Sequence, residues 1–445
     1  MKDRFETPQR NFPAQGEIIT SAMFRFKKGL TMKAEIICIG TELLLGQIVD
    51  TNAAFLAREL AEIGIDLYHK STVGDNLARI FATLRQAWDR ADLLILSGGL
   101  GPTQDDLTRE GVAGLLGEEL RFLPEAWEPI EEYFRKMERP IPASNRRQAM
   151  FPPSGVIIPN RFGSAPGLRV AKDGRHLFAL PGVPYELKGI WGETVKPYLR
   201  ELLVREGNPV LTSLTLRMVG IGESAMEEKV IDLIKTQTNP TIAPYASRGE
   251  VSLRISAKGE SEAANRERIA STAAAIKERL GEYVYGYDGD NLETVVGRIL
   301  NERGWRLALA ESCTGGLIGH RVTNVPGSSD YYLGGVGSYS NELKMKLLEV
   351  PRATLETCGA VSPETAQAMA SGIRQLTGAE VGVAVTGIAG PGGGTAEKPV
   401  GLVYLAVETP ERAVVERRIF PLDRTGNKES AAQAALALLW KTLVR

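Results

Sequence analysis

A serine and a lysine in the last third of the chain have the surroundings of a hydrolytic pair. Ser312 lies in Ala310-Glu-Ser-Cys-Thr-Gly-Gly316, a sharp turn between the stretch Arg306-Leu-Ala-Leu-Ala310 and a predicted helix, and Lys344 closes Ser338-Tyr-Ser-Asn-Glu-Leu-Lys344. A serine hydroxyl becomes nucleophilic only when a base takes its proton. The chain has three histidines, and the one in this region, His320, would stand roughly 12 Å along a helix from Ser312. Lysine is the remaining base. To accept a proton near neutrality its amine must titrate well below its ordinary value of about 10.4, which burial or a neighbouring cation brings about. Asn341 reads as the cap of the helix that carries Lys344, with the Tyr339 hydroxyl beside the amine. Backbone amides at the helix start near Ser312 and Thr314 favour a ligand's negative charge or an oxyanion. Taken singly, each residue also has an ordinary role: serine at a helix start caps it, and lysine in a first turn is solvated.

Cys313 is the rival nucleophile, since a thiolate attacks amides readily where a cation or helix start lowers its pKa. Without a suitably spaced histidine it reads as a buried structural thiol. The strand-like Val381-Gly-Val-Ala-Val385 runs into Thr386-Gly-Ile-Ala-Gly-Pro-Gly-Gly-Gly394, and a glycine-rich turn at a strand end is where open α/β sheets take ligands. This run has neither the lysine-serine close of a P-loop nor the spacing of a dinucleotide fingerprint, so it suits one phosphate. Arg424, in Pro421-Leu-Asp-Arg-Thr-Gly426, offers a planar fork for phosphate or carboxylate. A second glycine-rich turn, Gly98-Gly-Leu-Gly-Pro-Thr-Gln-Asp-Asp-Leu-Thr-Arg-Glu110, follows an apolar strand nearer the N-terminus. Its amides can wrap a pyrophosphate, while Asp105, Asp106 and Glu110 can hold a divalent ion bridging the oxygens. Asp106 and Glu110, four apart, would share a helix face. Acidic capping of a helix is the plain alternative.

Periodicity supplies the elements that must position these residues. From Met32, strand and helix alternate: Ile36 to Ile39, a helix through Asn52 to Leu60, a strand near Ile65 to Val73, a helix from Asn76 to Ala91 and the apolar strand Asp92 to Ser97. Such alternation builds a mostly parallel, doubly wound α/β sheet. Eight of the 24 prolines fall between Pro140 and Pro184, where turns and extended chain replace long helices. A helix ending near Leu203 closes this domain, 32–205. In 206–287, the alternating stretches Leu214 to Val219 and Val251 to Ala257 are each followed by a polar helix, giving a small α+β module whose Gly220-Ile-Gly-Glu223 turn has the look of a KH clamp loop. Residues 288–445 are again α/β, with Ser362-Pro-Glu supplying an N-cap and a proline at the first helical position. Residues 1–31 are aperiodic, with six basic against three acidic side chains, and read as a flexible tail or upstream extension.

The 53 basic and 54 acidic residues nearly cancel, which disfavours nucleic acid or an anionic membrane as the main partner and favours small ligands. Three widely spaced cysteines support neither a disulfide framework nor a zinc knuckle and fit a reducing cytoplasm. No apolar run approaches the roughly 20 residues of a membrane span, so a soluble protein is expected.

Together with Gly327-Ser-Ser329 and Lys398-Pro-Val-Gly401, the C-terminal motifs closely resemble the nicotinamide-nucleotide amidohydrolase domain of CinA-type proteins. Gly40-Thr-Glu-Leu-Leu-Leu-Gly46, Asp50-Thr-Asn52, the Gly98 to Glu110 turn and Leu180-Pro-Gly-Val-Pro-Tyr-Glu186 resemble the molybdopterin-binding-like domain that precedes it in that family. The resemblance covers about residues 32 to 445 and includes a KH-like middle module. For the last domain it implies hydrolysis of the carboxamide of nicotinamide mononucleotide to nicotinate mononucleotide and ammonia, by a serine/lysine dyad without a cofactor. By motif position Ser312 would be the nucleophile, Lys344 its base and Tyr339 an aid on the proton path. Ser329 and Thr386 would hold the amide or ribose, with Thr314, Gly387 and Gly390 lining the substrate site and Arg424 on the phosphate. Spacing leaves Ser312 and Ser329 both open as nucleophile, and the strand-to-helix turn favours Ser312.

For the first domain the resemblance implies an ADP-ribose pyrophosphatase that uses a divalent metal, with or without a monovalent ion, and releases AMP and ribose 5-phosphate. Gly98, Gly99, Gly101, Thr103, Asp50 and Asn52 would form its site, with Asp105, Asp106, Glu110 and Glu186 as metal-binding or catalytic carboxylates. The expected protein is thus a cytoplasmic, homodimeric enzyme of pyridine-nucleotide salvage. Its rivals are a non-catalytic interaction protein of competence or DNA damage, and a molybdenum-cofactor-binding transferase that would leave the C-terminal residues unexplained. The family pattern does not require the segment before Met32.

Overall fold

The computed structural model describes residues 32–445, which fall into two compact units divided after Val210. The expected tail, 1–31, lies outside the described residues. Among the described residues no helix is long and apolar enough to cross a membrane.

The first unit is built on six strands, β1 (Lys33–Ile39), β2 (Asp66–Val73), β3 (Leu93–Ser97), β4 (Val156–Ile158), β5 (Gly167–Lys172) and β6 (Arg175–Leu180), in the order β2-β1-β3-β6-β5-β4. β2, β1, β3 and β6 run parallel, and β1 and β3 are near-continuous apolar runs because both faces of the sheet are covered. Helix α1 (Thr51–Glu62) starts where Asp50 accepts the Ala53 amide, and α2 (Leu77–Arg90) where Asn76 accepts that of Arg79. Leu56 and Leu60 of α1 join the core on one face, Ile80 and Leu84 of α2 that on the other. The mostly parallel expectation meets one local exception: β5 and β4 add an antiparallel edge. Its cause is the two-residue turn Asp173-Gly174, both with positive φ (53° and 73°), which folds β5 back on β6 as a hairpin. Ahead of β5, the proline-rich stretch holds only a short 3-10 helix, Ala143–Ala149, and brief strands. Two further helices matter below, α3 (Thr108–Leu116) and α4 (Pro184–Ile190).

The second unit begins with β7 (Val210–Met218), α5 (Glu223–Thr236), β8 (Thr241–Ser247), β9 (Glu250–Gly259), α6 (Glu262–Leu280) and β10 (Val284–Tyr287), with sheet order β8-β9-β7-β10. This is the split βαβ arrangement. The alternating β7 and β9 are the central strands, and the flanking β8 and β10 carry weaker patterns. After α7 (Leu292–Arg303) the last sheet comprises β11 (Leu307–Glu311), β12 (Tyr332–Gly337), β13 (Val381–Gly387), β14 (Leu402–Glu408) and β15 (Ala413–Ile419), in the order β12-β11-β13-β14-β15. β12, β11 and β13 are parallel, and β14 and β15 antiparallel. Between them lie α8 (Leu317–Thr323), α9 (Asn341–Leu348) and α10 (Pro363–Thr377), and α11 (Arg424–Val444) follows. Ser362 caps α10 with Pro363 at its first position, as its sequence indicates. Because three adjacent strands run the same way, the turns that follow β11, β12 and β13 meet at one edge of the sheet.

Candidate active site

At the end of β11 stands Glu311, a buried carboxylate that accepts the amides of Gly316 (3.0 Å), Ile318 (3.1 Å) and Gly319 (2.9 Å). The turn 312–316 closes through Gly315 and Gly316 at φ 64° and 93°, a region that favours glycine. Glu311 therefore occupies the helix-start amides expected to receive a ligand's charge. The chain caps α8 with its own carboxylate because a buried anion requires donors, and these are the donors within reach. Ser312, the next residue, is also buried, and its amide donates to the Val385 carbonyl at 2.9 Å.

α9 starts one residue earlier than its sequence suggests: Ser340, not Asn341, is the cap and accepts the Leu343 amide. Lys344 then points inward and is 1% exposed. Its Nζ lies 2.6 Å from the Ser338 carbonyl and 3.1 Å from Ser312 Oγ, joining residues 32 positions apart. No carboxylate among the described residues pairs with it, and burial holds its pKa below the ordinary lysine value. The hydroxyls of Thr314 and Ser338, each one or two residues from Ser312 or Tyr339 in sequence, are fully buried and lack a partner among the described residues. Buried polar atoms left unsatisfied mark places where a ligand or water completes the bonding. Burial pushes the Cys313 thiol up to about 12, so the cysteine stays protonated and inert near neutrality.

Tyr339 lies between buried Ser338 and the cap Ser340, and its side chain turns outward, 67% exposed. Its hydroxyl accepts from Arg424 Nη2 at 3.0 Å, with no hydrogen bond to Ser312 or Lys344. The tyrosine expected beside the amine is thus held at the rim. Arg424, first residue of α11, also donates through Nη1 to the Gly390 carbonyl at 2.6 Å. Thr386 is buried and donates to the Ala360 carbonyl at 2.6 Å, and Gly387 ends β13 beside it. Ser329 sits exposed on the short turn Ser328–Asp330, with no hydrogen bond to Lys344. Of the two serines left open by spacing, Ser312 is the one beside the amine. Sequence reading missed Glu311, Ser338 and Lys428. Only Lys428 carried a signal, its place four residues after Arg424 on one helix face. Its Nζ comes within 3.8 Å of where a Cβ on Gly315 would stand.

The first unit has a cavity of about 430 Å³, lined by Gly98, Gly99, Gly101, Thr103, Asp50, Asn52, Asp105, Asp106 and Glu186. At Gly98, φ is 101° and a Cβ would stand 2.2 Å from the Ile39 carbonyl, so only glycine fits. Thr108 holds the loop through Gly98 O (2.7 Å) and Gly99 O (3.1 Å), and the amides of Gly99, Leu100 and Gly101 have no acceptor among the described residues. The carboxylates do not gather as expected. α3 begins at Thr108, so Asp106 precedes it and cannot share its face with Glu110. Asp106 accepts the Thr103 amide at 2.8 Å, Glu110 pairs with Arg147 at 2.7 Å and does not line the cavity, and Glu186 accepts from Asn160 at 2.6 Å. Burial raises the Glu186 pKa. Among the described residues no three metal-ligating side chains converge, so Asp105, Asp106, Glu110 and Glu186 do not by themselves form a metal site.

Fold and sites define a modular α/β protein, and comparison with known proteins assigns each module. Residues 35–201 match the probable molybdopterin binding domain, 213–286 the damage-inducible protein CinA KH domain and 289–443 the CinA C-terminal domain. The chain belongs to the CinA family of competence/damage-inducible proteins. It is 49% identical over 412 residues to a Moorella thermoacetica protein named for competence-damage induction, covering 93% of this chain and 99% of that protein. It is 44% identical over 413 residues to a CinA-like protein of Kosmotoga olearia, covering 93% and 99%. Among solved structures, CinA of Thermoplasma acidophilum is 36% identical, over 38% of this chain and 98% of that one, with a TM-score of 0.35.

Proposed function

We propose that the C-terminal domain hydrolyses the carboxamide of nicotinamide mononucleotide, giving nicotinate mononucleotide and ammonia, with Ser312 as nucleophile and Lys344 as base. The buried, unpaired Lys344 amine 3.1 Å from Ser312 Oγ carries this reading. A dry site without a carboxylate disfavours the ammonium form. The neutral amine takes the Ser312 proton as Oγ attacks the carboxamide carbon. When the C–N bond breaks, Lys344 returns that proton to the departing nitrogen, and ammonia leaves. Water then attacks the acyl-serine with Lys344 again as base, and Oγ recovers its proton as nicotinate mononucleotide departs. The hydroxyls of Thr314 and Ser338, without a partner among the described residues, are candidate donors to the tetrahedral oxygen. Arg424, oriented by Tyr339 and the Gly390 carbonyl, offers its fork to the phosphate. The test is ammonia release from nicotinamide mononucleotide by the full chain, Ser312→Ala and Lys344→Ala, with losses of about a thousandfold expected in both variants. No ammonia from the wild type across a range of pH removes the activity, and unchanged turnover in both variants removes the dyad.

A second reading concerns the first unit: a site for a nucleoside diphosphate ester such as ADP-ribose, cleaved to AMP and ribose 5-phosphate. It is favoured by the free amides of the Gly99 to Gly101 loop at the C-terminal ends of parallel strands. Absence of AMP release from ADP-ribose with magnesium, manganese or cobalt would remove it.

A further inference from the structure

The KH-like module packs on α11, the helix whose first residue is Arg424. Its Val219 and Tyr285 belong to the apolar core built around Leu436, Leu439 and Trp440 of α11, and the Tyr285 and Trp440 rings meet edge-on with centroids 6.2 Å apart. The turn whose sequence looks like a KH clamp loop faces the same helix: a Cβ on Gly220, where φ is 81°, would stand 2.7 Å from Lys441 Nζ. Nearer the start of α11 the contact is a hairpin tip, the two residues Arg248-Gly249 between β8 and β9. Arg248 pairs with Glu429, and a Cβ on Gly249, where φ is 72°, would stand 2.9 Å from Gln433 Cγ. Glu429 and Gln433, four apart, are neighbours on one face of the helix, and the tip sits against that face.

Gln433 cannot swing aside from that tip. It is 8% exposed, and its Oε1 accepts from Arg321 Nη2 of α8 at 2.8 Å, while Glu293 of α7 holds Arg321 at 2.8 and 2.9 Å. A side chain at Gly249 would therefore press on α11 itself rather than on a flexible chain end. A helix transmits such a shift as a rigid element, and Arg424 lies nine residues back, roughly 14 Å along the axis. We propose that the Arg248-Gly249 tip of the KH-like module is a positioning element of the C-terminal site, fixing α11 so that Arg424 meets the substrate phosphate. The inference rests on the amidohydrolase reading. Arg248 and Gly249 touch no substrate in it; they act through Glu429 and Gln433.

Gly249→Asn tests this in the full chain, because asparagine tolerates positive φ and so keeps the turn while adding the obstructing Cβ. It is expected to raise KM for nicotinamide mononucleotide at least about fivefold, with kcat within about twofold of the wild type and KM for the riboside unchanged. In a Gln433→Ala background, where the obstruction is gone, Gly249→Asn is expected to add nothing to the KM of Gln433→Ala alone. Hydrogen exchange of peptides covering 421–430 needs no turnover, and it should quicken in Gly249→Asn but not when the same change is made in the Gln433→Ala background. An unchanged KM for the mononucleotide, an equal rise for the riboside, or a full further rise in the Gln433→Ala background overturns the proposal and leaves the amidohydrolase standing. Unchanged exchange over 421–430 overturns the grip on α11 whatever the turnover. Without ammonia from the wild type the amidohydrolase reading falls, and the role at the phosphate with it.

Discussion

Replacing Glu311 by alanine is expected to destabilise the second unit by about 3 to 5 kcal/mol and to disable the Ser312 turn. The carboxylate accepts three amides at 2.9 to 3.1 Å. A charge-assisted bond contributes about 1.5 to 3 kcal/mol, and a buried donor left without an acceptor costs about 1 to 3. The three contributions do not add fully. Gly316 is exposed and its amide recovers water, whereas Ile318 is buried and Gly319 half-buried. Glu311→Gln keeps one acceptor oxygen, enough for Gly316 and Ile318, which share a single carboxylate oxygen, but turns an NH₂ toward the Gly319 amide. About half the alanine cost is expected for it. Ser312 adjoins Glu311, and misplacing a reacting atom by about 1 Å costs about a hundredfold in rate. Urea unfolding reports the stability, and hydrogen-exchange mass spectrometry of peptides covering 312–324 reports the local effect. If alanine leaves both the midpoint and the exchange of that segment unchanged, the capping argument fails. If glutamine behaves like alanine, the shape of the side chain rather than its acceptor matters.

Lys344→Met should abolish ammonia release yet raise the unfolding midpoint near neutral pH. With the folded pKa lowered by burial, the unfolded chain binds more protons between that lowered value and about 10.4. The penalty from this lysine is therefore complete below the lowered value and disappears as pH rises toward about 10.4, where wild type and variant should converge. Ammonia release is expected to have the related sign, falling as acid protonates the amine. Arg424→Ala should raise KM for the mononucleotide at least about tenfold while leaving the riboside little affected, and Tyr339→Phe, which removes one partner of Arg424, should do so by only a few fold. Equal effects on nucleotide and riboside would contradict a phosphate role for Arg424. Cys313 should resist iodoacetamide at pH 8 in the folded protein and react on unfolding, because its thiol titrates at about 12 when buried. Labelling of the folded chain at the rate of a free thiol would show that the turn opens.

Signals carried by adjacent residues were legible in the sequence. The apolar runs of β1 and β3, the helix start at Asn76, the cap Ser362, the glycine turn at Gly98 and the turn at Ser312 each depend on a few neighbours along the chain, and the structure has them. The Asp173-Gly174 hairpin was equally local, and its signal went unread. What local pattern could not supply was partnership across distance. Strand order sets the ends of β12, β11 and β13 side by side, and only that brings Lys344 to Ser312 over 32 positions and Arg424 to Tyr339 over 85. The same packing decides that Lys344 is dry, that Tyr339 faces solvent and that Glu311 fills the amides of α8. In the first unit, the composition of the Gly98 to Glu110 segment suggested a metal cluster, yet the start of α3 at Thr108 and the pull of Thr103 and Arg147 disperse its acids. Residue type along the chain determined which groups were available; desolvation and reach, which exist only after the sheet closes, determined which of them meet.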